Sequence, residues 1–332
     1  MFSFADLNQY VAFTATGGAS SGMAINGNTA RLEIAGLSLA QQTATITKID
    51  ESSEGSLIVA GFELDLGGRF LPMPAAASPL GRRMELLGDS LSIGFGVIGI
   101  NGECTLTSCS GGPCLISDAR LSYPALVAED LNAGLHLTGW SAAGLTNGRA
   151  ANYAQLYGQP MQTYIAQDPN VDQFYLRGDG TNASSVYNFS SYQPQVIVNA
   201  IGINDFHDSP PPPPMATWVA EYTRFTLDAL NPSATIVMLQ LSSSFVTAYD
   251  PTSSDPPQTS SLLDPNQYQR YQAYMQAAYA TMQSLGVPKL SYFVLPESVG
   301  DFPRGCIGHP NPQGNRAAAD ALTPFIRQLI GW

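Results

Sequence analysis

Five short apolar segments, separated by segments with a helical pattern, constrain the fold of this chain more than any other feature of its sequence. The apolar segments lie at residues 84–88, 135–141, 195–202, 235–241 and 290–295. Strands that are apolar along their whole length are typical of a parallel sheet covered on both faces. Helices are predicted at residues 123–133, 217–230, 267–286 and 313–330. This alternation predicts an α/β fold, a three-layer α/β/α sandwich around a parallel sheet.

The first part of the chain has a different pattern. Up to residue 75, apolar and polar positions alternate in short runs such as YVAFTAT and SLIVAGFELDL, and Gly, Asn and Ser separate the runs. Period-two alternation of this kind predicts antiparallel strands. The Pro- and Ala-rich segment LPMPAAASPLGRR that follows is typical of a linker. We therefore predict two domains, a small jelly-roll-like β-sandwich over residues 1–75 and an α/β domain over residues 83–332.

The balance of charge argues against two classes of partner. The chain carries 14 Lys and Arg residues against 26 Asp and Glu residues, a formal net charge of −12. Nucleic acids and anionic membrane surfaces are bound through clustered cations, so we expect neither as a partner. The sequence contains no run of about 18 apolar residues, so we predict no membrane-spanning helix.

Several features favour an extracellular protein. The low-charge sequence, rich in Gly, Pro, Ser and Thr, is typical of secreted proteins, although the N-terminus MFSFADLNQY lacks the regions of a signal peptide. We therefore expect a mature form behind an added Met. Three of the four cysteines, Cys104, Cys109 and Cys114, lie close together, and no His is near them. We favour a stapling disulfide over a metal site there, with one of the three left for Cys306; the spacing does not fix the pairing.

The motif Gly88-Asp89-Ser90-Leu91 follows the first predicted strand of the sheet. Catalytic groups in open α/β sheets gather at the carboxyl ends of the strands. A Ser in such a turn can direct its hydroxyl into a cleft, but Asp and Ser are also common helix caps. The motif by itself therefore marks Ser90 only as a candidate nucleophile.

A second polar turn, IGIND, ends the third predicted strand of the sheet and contains Asn204. The side-chain amide of Asn204 is suited to stabilising an oxyanion, for which one positioned donor is worth ~2.7–4 kcal/mol. The alternative interpretation is an ordinary Asn-Asp turn.

The chain has three histidines, and they differ in their suitability as a base. His136 lies within a predicted strand and is interpreted as structural. His207 follows the IGIND turn and is a weaker candidate at the edge of the cleft. His309 lies in the turn-rich loop GCIGHPN before the last helix, where an imidazole is suited to proton transfer near neutral pH. We therefore favour His309 as the base.

Taken together, the motifs GDSLSIGFG, WSAAGL, IGIND and HPN resemble, in their order, the four blocks of the SGNH (GDSL-type) hydrolases. The chain is more similar still to the carbohydrate esterases of family 2, which deacetylate plant polysaccharides. That resemblance covers about residues 83–320 and implies an SGNH-hydrolase (flavodoxin-like) fold. We expect neither a metal nor another cofactor. It also implies Ser90 as nucleophile and His309 as its base. The implied oxyanion hole consists of the Ser90 and Gly144 backbone N–H groups and the Asn204 side chain.

The sequence departs from this family pattern at the third member of the triad. SGNH enzymes place an Asp three residues before the His, and family 2 esterases usually place one two residues before it. Cys306 and Ile307 occupy these positions here, and the nearest upstream acid is Asp301. We favour a dyad in which a backbone carbonyl accepts the Nδ1–H of His309, and we retain Asp301 or a remote acid as alternatives.

The leading interpretation is therefore a serine esterase that works through an acyl-enzyme. The resemblance implies an acetylated plant or cell-wall polysaccharide as its substrate. A GDSL-type lipase or aryl-esterase acting on small acyl esters is the alternative enzyme. The missing acid motivates an alternative from another class, a carbohydrate-binding protein with weakened catalysis. The sequence indicates no oligomeric state.

Overall fold

The structure of the protein is a computed structural model. The described residues are 2–3, 9–15, 20–25, 29–30, 44–48, 64, 66–71, 81–98, 116–145, 187–206, 211–228, 231–246, 263 and 265–332.

The N-terminal part contains short antiparallel strands. In chain order they are β1 (Phe2–Ser3), β2 (Gln9–Ala15), β3 (Ser20–Ile25), β4 (Thr29–Ala30) and β5 (Ala44–Lys48). β2 pairs with β3 on one side and with β5 on the other, and β1 pairs with β4. The antiparallel pairing agrees with the pattern of the sequence. The division into domains at residues 75 and 83 stays a prediction.

The second sheet has five parallel strands, which confirms the predicted α/β fold. The strands are β6 (Arg83–Gly88), β7 (Gly134–Gly139), β8 (Val196–Asn199), β9 (Thr235–Gln240) and β10 (Leu290–Val294). Their spatial order is β7-β6-β8-β9-β10, and every neighbouring pair is parallel. This is the flavodoxin-like order, in which the strand order reverses between the first and third strands in chain order.

Helices separate the strands of this sheet and follow the last one. The α-helices among the described residues are α1 (Tyr123–Asp130), α2 (Met215–Asp228), α3 (Ser243–Val246), α4 (Pro265–Ser284) and α5 (Pro312–Ile330). α5 begins at Pro312 because the side chain of Asn311 accepts the N–H of Gly314 at 2.9 Å, and it ends at Gly331, which has a φ of 72°. Within the part of the chain that the structure describes, no helix is long and apolar enough to cross a lipid bilayer.

The central strands are buried because helices cover both faces. All four residues of β8 are buried, as are the last five of β6, whereas every residue of the edge strand β7 is only half-buried. Under the turn that follows β8, four aromatic side chains pack edge to face: Phe206, Trp218, Tyr271 and Tyr274. Such pairs add stability beyond the apolar area they bury, and here they support a turn that carries site residues.

The point at which the strand order reverses lies between β6 and β8. From β6 the chain continues to β7 on one side of the sheet, and it later returns to β8 on the other side. Ligands in open α/β sheets bind at the carboxyl ends of the two strands that flank such a point. Leu87 of β6 is in register with Asn199 of β8, so the turns that follow these two strands begin side by side.

Candidate active site

The turn that follows β6, residues 88–96, carries the predicted nucleophile and is called the nucleophile turn. The N–H groups of Ser92 and Ile93 donate to the Asp89 carbonyl at 2.9 and 3.1 Å, and the N–H of Phe95 donates to the Ser90 carbonyl at 3.2 Å. Gly88 is required where the strand ends, because a Cβ there would lie 2.1 Å from the Oγ of Ser92. This tight reversal places Ser90 directly beyond the carboxyl end of the strand.

Ser90 and His309 are in direct contact. The Nε2 atom of His309 lies 2.8 Å from the Oγ atom of Ser90. Only 9% of Ser90 and 3% of His309 are exposed, so the contact lies in a largely water-excluded site. A hydroxyl and an imidazole in this geometry are arranged for proton transfer from serine to histidine.

The loop that carries His309, residues 304–310, is called the His loop, and the nucleophile turn holds it directly. The N–H of Cys306 donates to the Gly96 carbonyl at 2.7 Å. The ring of Phe95 meets the His309 ring edge-on, with centroids 4.9 Å apart. Gly96 has a φ of 71°, and a Cβ on it would lie 2.4 Å from the Cys306 carbonyl oxygen. The second half of the GDSLSIGFG motif therefore forms the support of the His loop.

Arg304 and Glu297 attach the segment before His309 to the short helix α3. The guanidinium of Arg304 donates to the Phe245 carbonyl at 2.9 Å and also to the Ser244 carbonyl. Burial lowers the pKa of Arg304 to about 10, so it remains charged at neutral pH. The carboxylate of Glu297 accepts the N–H groups of Ser243 and Ser244 at 3.2 and 2.8 Å. The acid thus lies at the start of the helix and the cation at its end, which is the favourable arrangement of charge.

Asn315 of α5 connects the His loop to α1 and, through it, to the nucleophile turn. Its Oδ1 atom accepts the N–H of Tyr123 at 2.9 Å, and its Nδ2 atom donates to the Pro310 carbonyl at 3.0 Å. The hydroxyl of Tyr123 lies 2.8 Å from the Oγ of Ser92. The two halves of the Ser–His contact are therefore joined by a second, independent set of hydrogen bonds.

Asn204 lies beside the nucleophile turn, in the 3₁₀ turn Ile203–Phe206 that follows β8. Its Nδ2 atom donates to the Oδ2 atom of Asp89 at 2.9 Å and to the Ala143 carbonyl at 3.1 Å. The amide nitrogen, rather than the amide oxygen, therefore faces the nucleophile turn. The chain reverses at Gly202, where a φ of 120° and the ring of Trp218, 2.7 Å from an added Cβ, leave room only for glycine.

Gly144 lies beside the Asn204 turn, because both of its neighbours in the chain contact that turn. The carbonyl of Ala143 accepts from Asn204, and the N–H of Leu145 donates to the Oδ2 atom of Asp205 at 2.7 Å. Gly144 itself is buried. Three of the predicted site residues thus converge with His309 at one edge of the sheet.

Asp301 is not part of this cluster. It is the residue after the 3₁₀ turn Glu297–Gly300, and its side chain is exposed, whereas the His309 ring is buried. Among the described hydrogen bonds, none joins Asp301 to His309, and the identity of any third member stays a prediction.

Of the other two histidines, only His136 lies among the described residues. His207 lies outside the described residues. The Nδ1 atom of His136 lies 3.1 Å from a carboxylate oxygen of Glu85 on the neighbouring strand, and its ring stacks on Tyr187 at a centroid distance of 4.6 Å. These contacts agree with the structural role predicted for His136.

Comparisons with known proteins place this geometry in a family context. No protein-family model matches the chain. Among solved structures, a carbohydrate esterase family 2 enzyme from Corynascus thermopiles (Myceliophthora fergusii) superposes with a TM-score of 0.74 at 22% identity, over 100% of this chain and 90% of that one. A family 2 esterase from Clostridium thermocellum, solved with cellohexaose, gives a TM-score of 0.74 at 22% identity, over 98% and 87%. The fold is that of the family 2 carbohydrate esterases.

Two curated proteins are similar in sequence. The acetylxylan esterase / glucomannan deacetylase of Cellvibrio japonicus is 30% identical over 271 residues, which is 80% of this chain. The cellulase/esterase CelE of Acetivibrio thermocellus is 25% identical over 309 residues, which is 93% of this chain. The aligned regions span 61% and 33% of the lengths of these two relatives. These findings confirm the resemblance to family 2 esterases predicted from the motifs.

On this esterase fold, one carboxylate at the site was not singled out from the sequence. Asp89 is 1% exposed and contacts both the nucleophile turn and Asn204. Its pKa is raised from 3.8 to about 7, above all by burial and also by the neighbouring charge of Asp205, against the opposing effect of the Leu91 N–H bond. The signal available in the sequence was its place directly before Ser90, which reads equally well as a helix cap.

The predictions about cysteines and about a metal site fall only partly on the described residues. Cys306 is disulfide-bonded. Cys104, Cys109 and Cys114 lie outside the described residues, so the pairing stays a prediction. In the part of the chain that is described, no cluster of three or more His, Cys, Asp or Glu side chains is arranged to hold a metal ion.

Proposed function

We propose that this protein is a secreted serine esterase that removes acetyl groups from a plant or cell-wall polysaccharide. The observation that carries the proposal is the buried contact between Ser90 Oγ and His309 Nε2, at 2.8 Å. An intact Ser–His contact of this kind favours an enzyme over a carbohydrate-binding protein with weakened catalysis.

The contact supports a two-step mechanism. His309 Nε2 accepts the proton of Ser90 as Oγ attacks the ester carbonyl. As the ester C–O bond breaks, the protonated imidazole gives that proton to the departing sugar oxygen, which leaves as a hydroxyl. The acyl group remains on Ser90. His309 next takes a proton from water, whose oxygen attacks the acyl carbonyl. The acid is released, and the proton returns to Ser90.

We assign the oxyanion hole to the Ser90 and Gly144 N–H groups and the Asn204 amide. Among the described hydrogen bonds, none uses either of these two backbone N–H groups, so both are available to a developing oxyanion. Asn204 already donates to Asp89 and to Ala143. The bond to the neutral Ala143 carbonyl is the longer of the two, so we expect this proton to turn toward the oxyanion while the bond to the carboxylate persists.

The substrate is proposed from the relatives. The Cellvibrio protein is named an acetylxylan esterase / glucomannan deacetylase, and the Clostridium structure was solved with cellohexaose. A plant or cell-wall polysaccharide lies outside the cell, which accords with the disulfide at Cys306 and with the low-charge composition.

The proposal is tested by ester hydrolysis with matched serine variants. Ser90→Ala should abolish release of p-nitrophenol from p-nitrophenyl acetate, whereas Ser284→Ala, on the exposed end of α4, should retain it. Acetate release from acetylated xylan and glucomannan should exceed hydrolysis of longer acyl esters. Preference for long acyl chains would favour the lipase or aryl-esterase, and turnover that survives Ser90→Ala would contradict the mechanism.

A further inference from the structure

The carboxylate of Asp89 connects the nucleophile to the oxyanion-hole amide. Its Oδ1 atom accepts the N–H of Leu91 at 3.0 Å, and its Oδ2 atom accepts from the Nδ2 atom of Asn204 at 2.9 Å. Both of its oxygens are therefore engaged by N–H donors, in a position that is 1% exposed. Neither contact involves the Ser90 hydroxyl, so Asp89 has no place in the proton transfer described above.

A second buried carboxylate completes the arrangement. Asp205 is fully buried and accepts the N–H of Leu145 at 2.7 Å, next to Gly144. Asp89 and Asp205 thus join the three chain segments that meet at the site, the nucleophile turn, the Gly144 loop (residues 140–145) and the Asn204 turn. Burying a carboxylate costs free energy, and hydrogen bonds to its oxygens offset that cost.

An ionised carboxylate has a directional effect on an amide because it only accepts hydrogen bonds. If the Asn204 side chain rotated by half a turn, its oxygen would face the Oδ2 atom of Asp89, and two acceptors would be in contact. The observed orientation, with Nδ2 toward the nucleophile turn, is therefore selected by Asp89. That orientation also keeps the second N–H of the amide on the Ala143 carbonyl, next to Gly144 in the proposed oxyanion hole.

Resting on the proposed function, we propose that Asp89 is a positioning residue for the oxyanion hole, which acts by fixing the orientation of the Asn204 amide. Its effect should appear in kcat rather than KM, because an oxyanion donor matters most when charge develops on the ester oxygen.

Asp89→Asn removes this control with almost no change in shape. The substituted side chain has one acceptor oxygen and one donor nitrogen, yet it faces two donors, the Leu91 N–H and the Asn204 amide. One of them must lose its acceptor, and kcat is expected to fall by up to the ~10²–10³ that loss of an oxyanion-hole donor costs. Protonation of Asp89 has the same effect, because a protonated oxygen becomes a donor.

The protonation state of Asp89 should also be visible in the pH dependence of kcat. The ionisable groups around Asp89 are Asp205 on the Asn204 turn, Tyr123 on α1 and, through Ser90, His309 on the His loop. Because the pKa of Asp89 is raised to about 7, Asp89 gains a proton below that pH. His309 must also be unprotonated to act as a base, so two groups reduce kcat as the pH falls. The acid limb of log kcat against pH should be steeper than one group produces.

The experiment is a double-mutant cycle measured on p-nitrophenyl acetate. Asp89→Asn, Asn204→Ala and the double variant are compared for kcat, KM, pH profile and thermal unfolding. Asn204→Ala alone should cost ~10²–10³ in kcat, and adding Asp89→Asn to it should cost almost nothing more. In both single variants the acid limb should become less steep, since Asp89 is absent or has lost the residue it acts on.

Asp118→Asn is the matched control. Asp118 is also buried and also accepts the N–H of the residue two positions ahead, Arg120, at 2.9 Å. None of its described hydrogen bonds reaches Asn204, so its replacement should leave kcat and the pH profile almost unchanged.

Three results would overturn the proposal: an unchanged kcat in folded Asp89→Asn, an equal loss in the Asn204→Ala background, or an acid limb that keeps its slope in Asn204→Ala. The last comparison does not depend on the folding of the Asp89 variant. Ser90→Ala, assayed alongside, distinguishes a failure of the proposed esterase mechanism from a failure of the role proposed for Asp89. Turnover in that variant would count against the esterase mechanism itself, whereas the three results above count only against the role of Asp89.

Discussion

The contact between Ser90 and His309 joins two residues that are 219 positions apart in the chain. Because one proton moves between them, each side chain is useless for catalysis without the other. Either alanine substitution is expected to reduce kcat by roughly 10⁶, and the double substitution should cost little more. Steady-state kinetics of the three variants would show this, and losses that multiply would mean that the two residues do not share one step.

Asp301 is expected to have no part in orienting His309. If a backbone carbonyl orients His309, Asp301→Asn should change kcat/KM by less than about tenfold, far below the ~10⁴ that loss of a working triad acid costs. The exposed position of Asp301 motivates this expectation. A thousandfold loss in a variant with unchanged circular dichroism would make Asp301 the third member.

Individual roles could be predicted from the sequence only where a motif carries them. Three residues lie in short motifs that each indicate a catalytic role without reference to the rest of the chain: Ser90, His309 and Asn204. The structure brings these three residues together. The role inferred for Asp89 depends on a partner 115 positions away, and that of Phe95 on a ring in another loop. No local pattern reports such contacts, because they depend on how the turns pack on each other.

At the scale of elements, the His loop depends on the nucleophile turn for its position. Gly96 allows this contact, since its carbonyl accepts the Cys306 N–H and an added Cβ would lie 2.9 Å from the Cβ of His309. A change at this glycine should therefore displace His309 without removing any catalytic group.

Gly96→Ala tests this dependence, with Gly286→Ala as its control. Both glycines have a φ of 71°, but an added Cβ at Gly286 meets nothing within 4 Å. Each variant should lose about 1–2 kcal/mol of stability from the left-handed backbone. Only Gly96→Ala should also lose activity, by up to ~10²-fold, because a small misplacement of reacting groups has that effect. Equal kcat values in the two variants would show that the close approach is unimportant.

The elements themselves were largely predictable because burial leaves a periodic pattern. The five strands and the long helices lie within a few residues of their predicted positions. The short helix α3 was not predicted, since four residues are too few to show a period. It matters nonetheless, because Arg304 and Glu297 attach the segment before His309 to it.

For the whole molecule, the order of the strands determines where the site lies. Alternating strands and helices predict a parallel sheet but not which strands are neighbours. The order β7-β6-β8-β9-β10 makes β6 and β8 adjacent, and it is this adjacency that brings the Ser90 and Asn204 turns together. The GDS and IGIND motifs would have no common site if another strand lay between them.

A disulfide should connect the His loop to the cysteine-rich segment. Peptide mapping without reduction is expected to find Cys306 joined to one of Cys104, Cys109 and Cys114, and the other two joined to each other. Reduction should lower the free energy of unfolding by ~2–5 kcal/mol. Four free thiols in the secreted protein would contradict both the disulfides and the extracellular assignment.

The proposed mechanism requires that Ser90 carry the acyl group during turnover. The most direct measurement is peptide mass spectrometry after rapid acid quenching of the protein during hydrolysis of an acetyl ester. The account predicts one added acetyl group on the peptide that contains Ser90, and none on the corresponding peptide of Ser90→Ala. Rapid turnover with that peptide unmodified, or an acetyl group found on another residue, would contradict it.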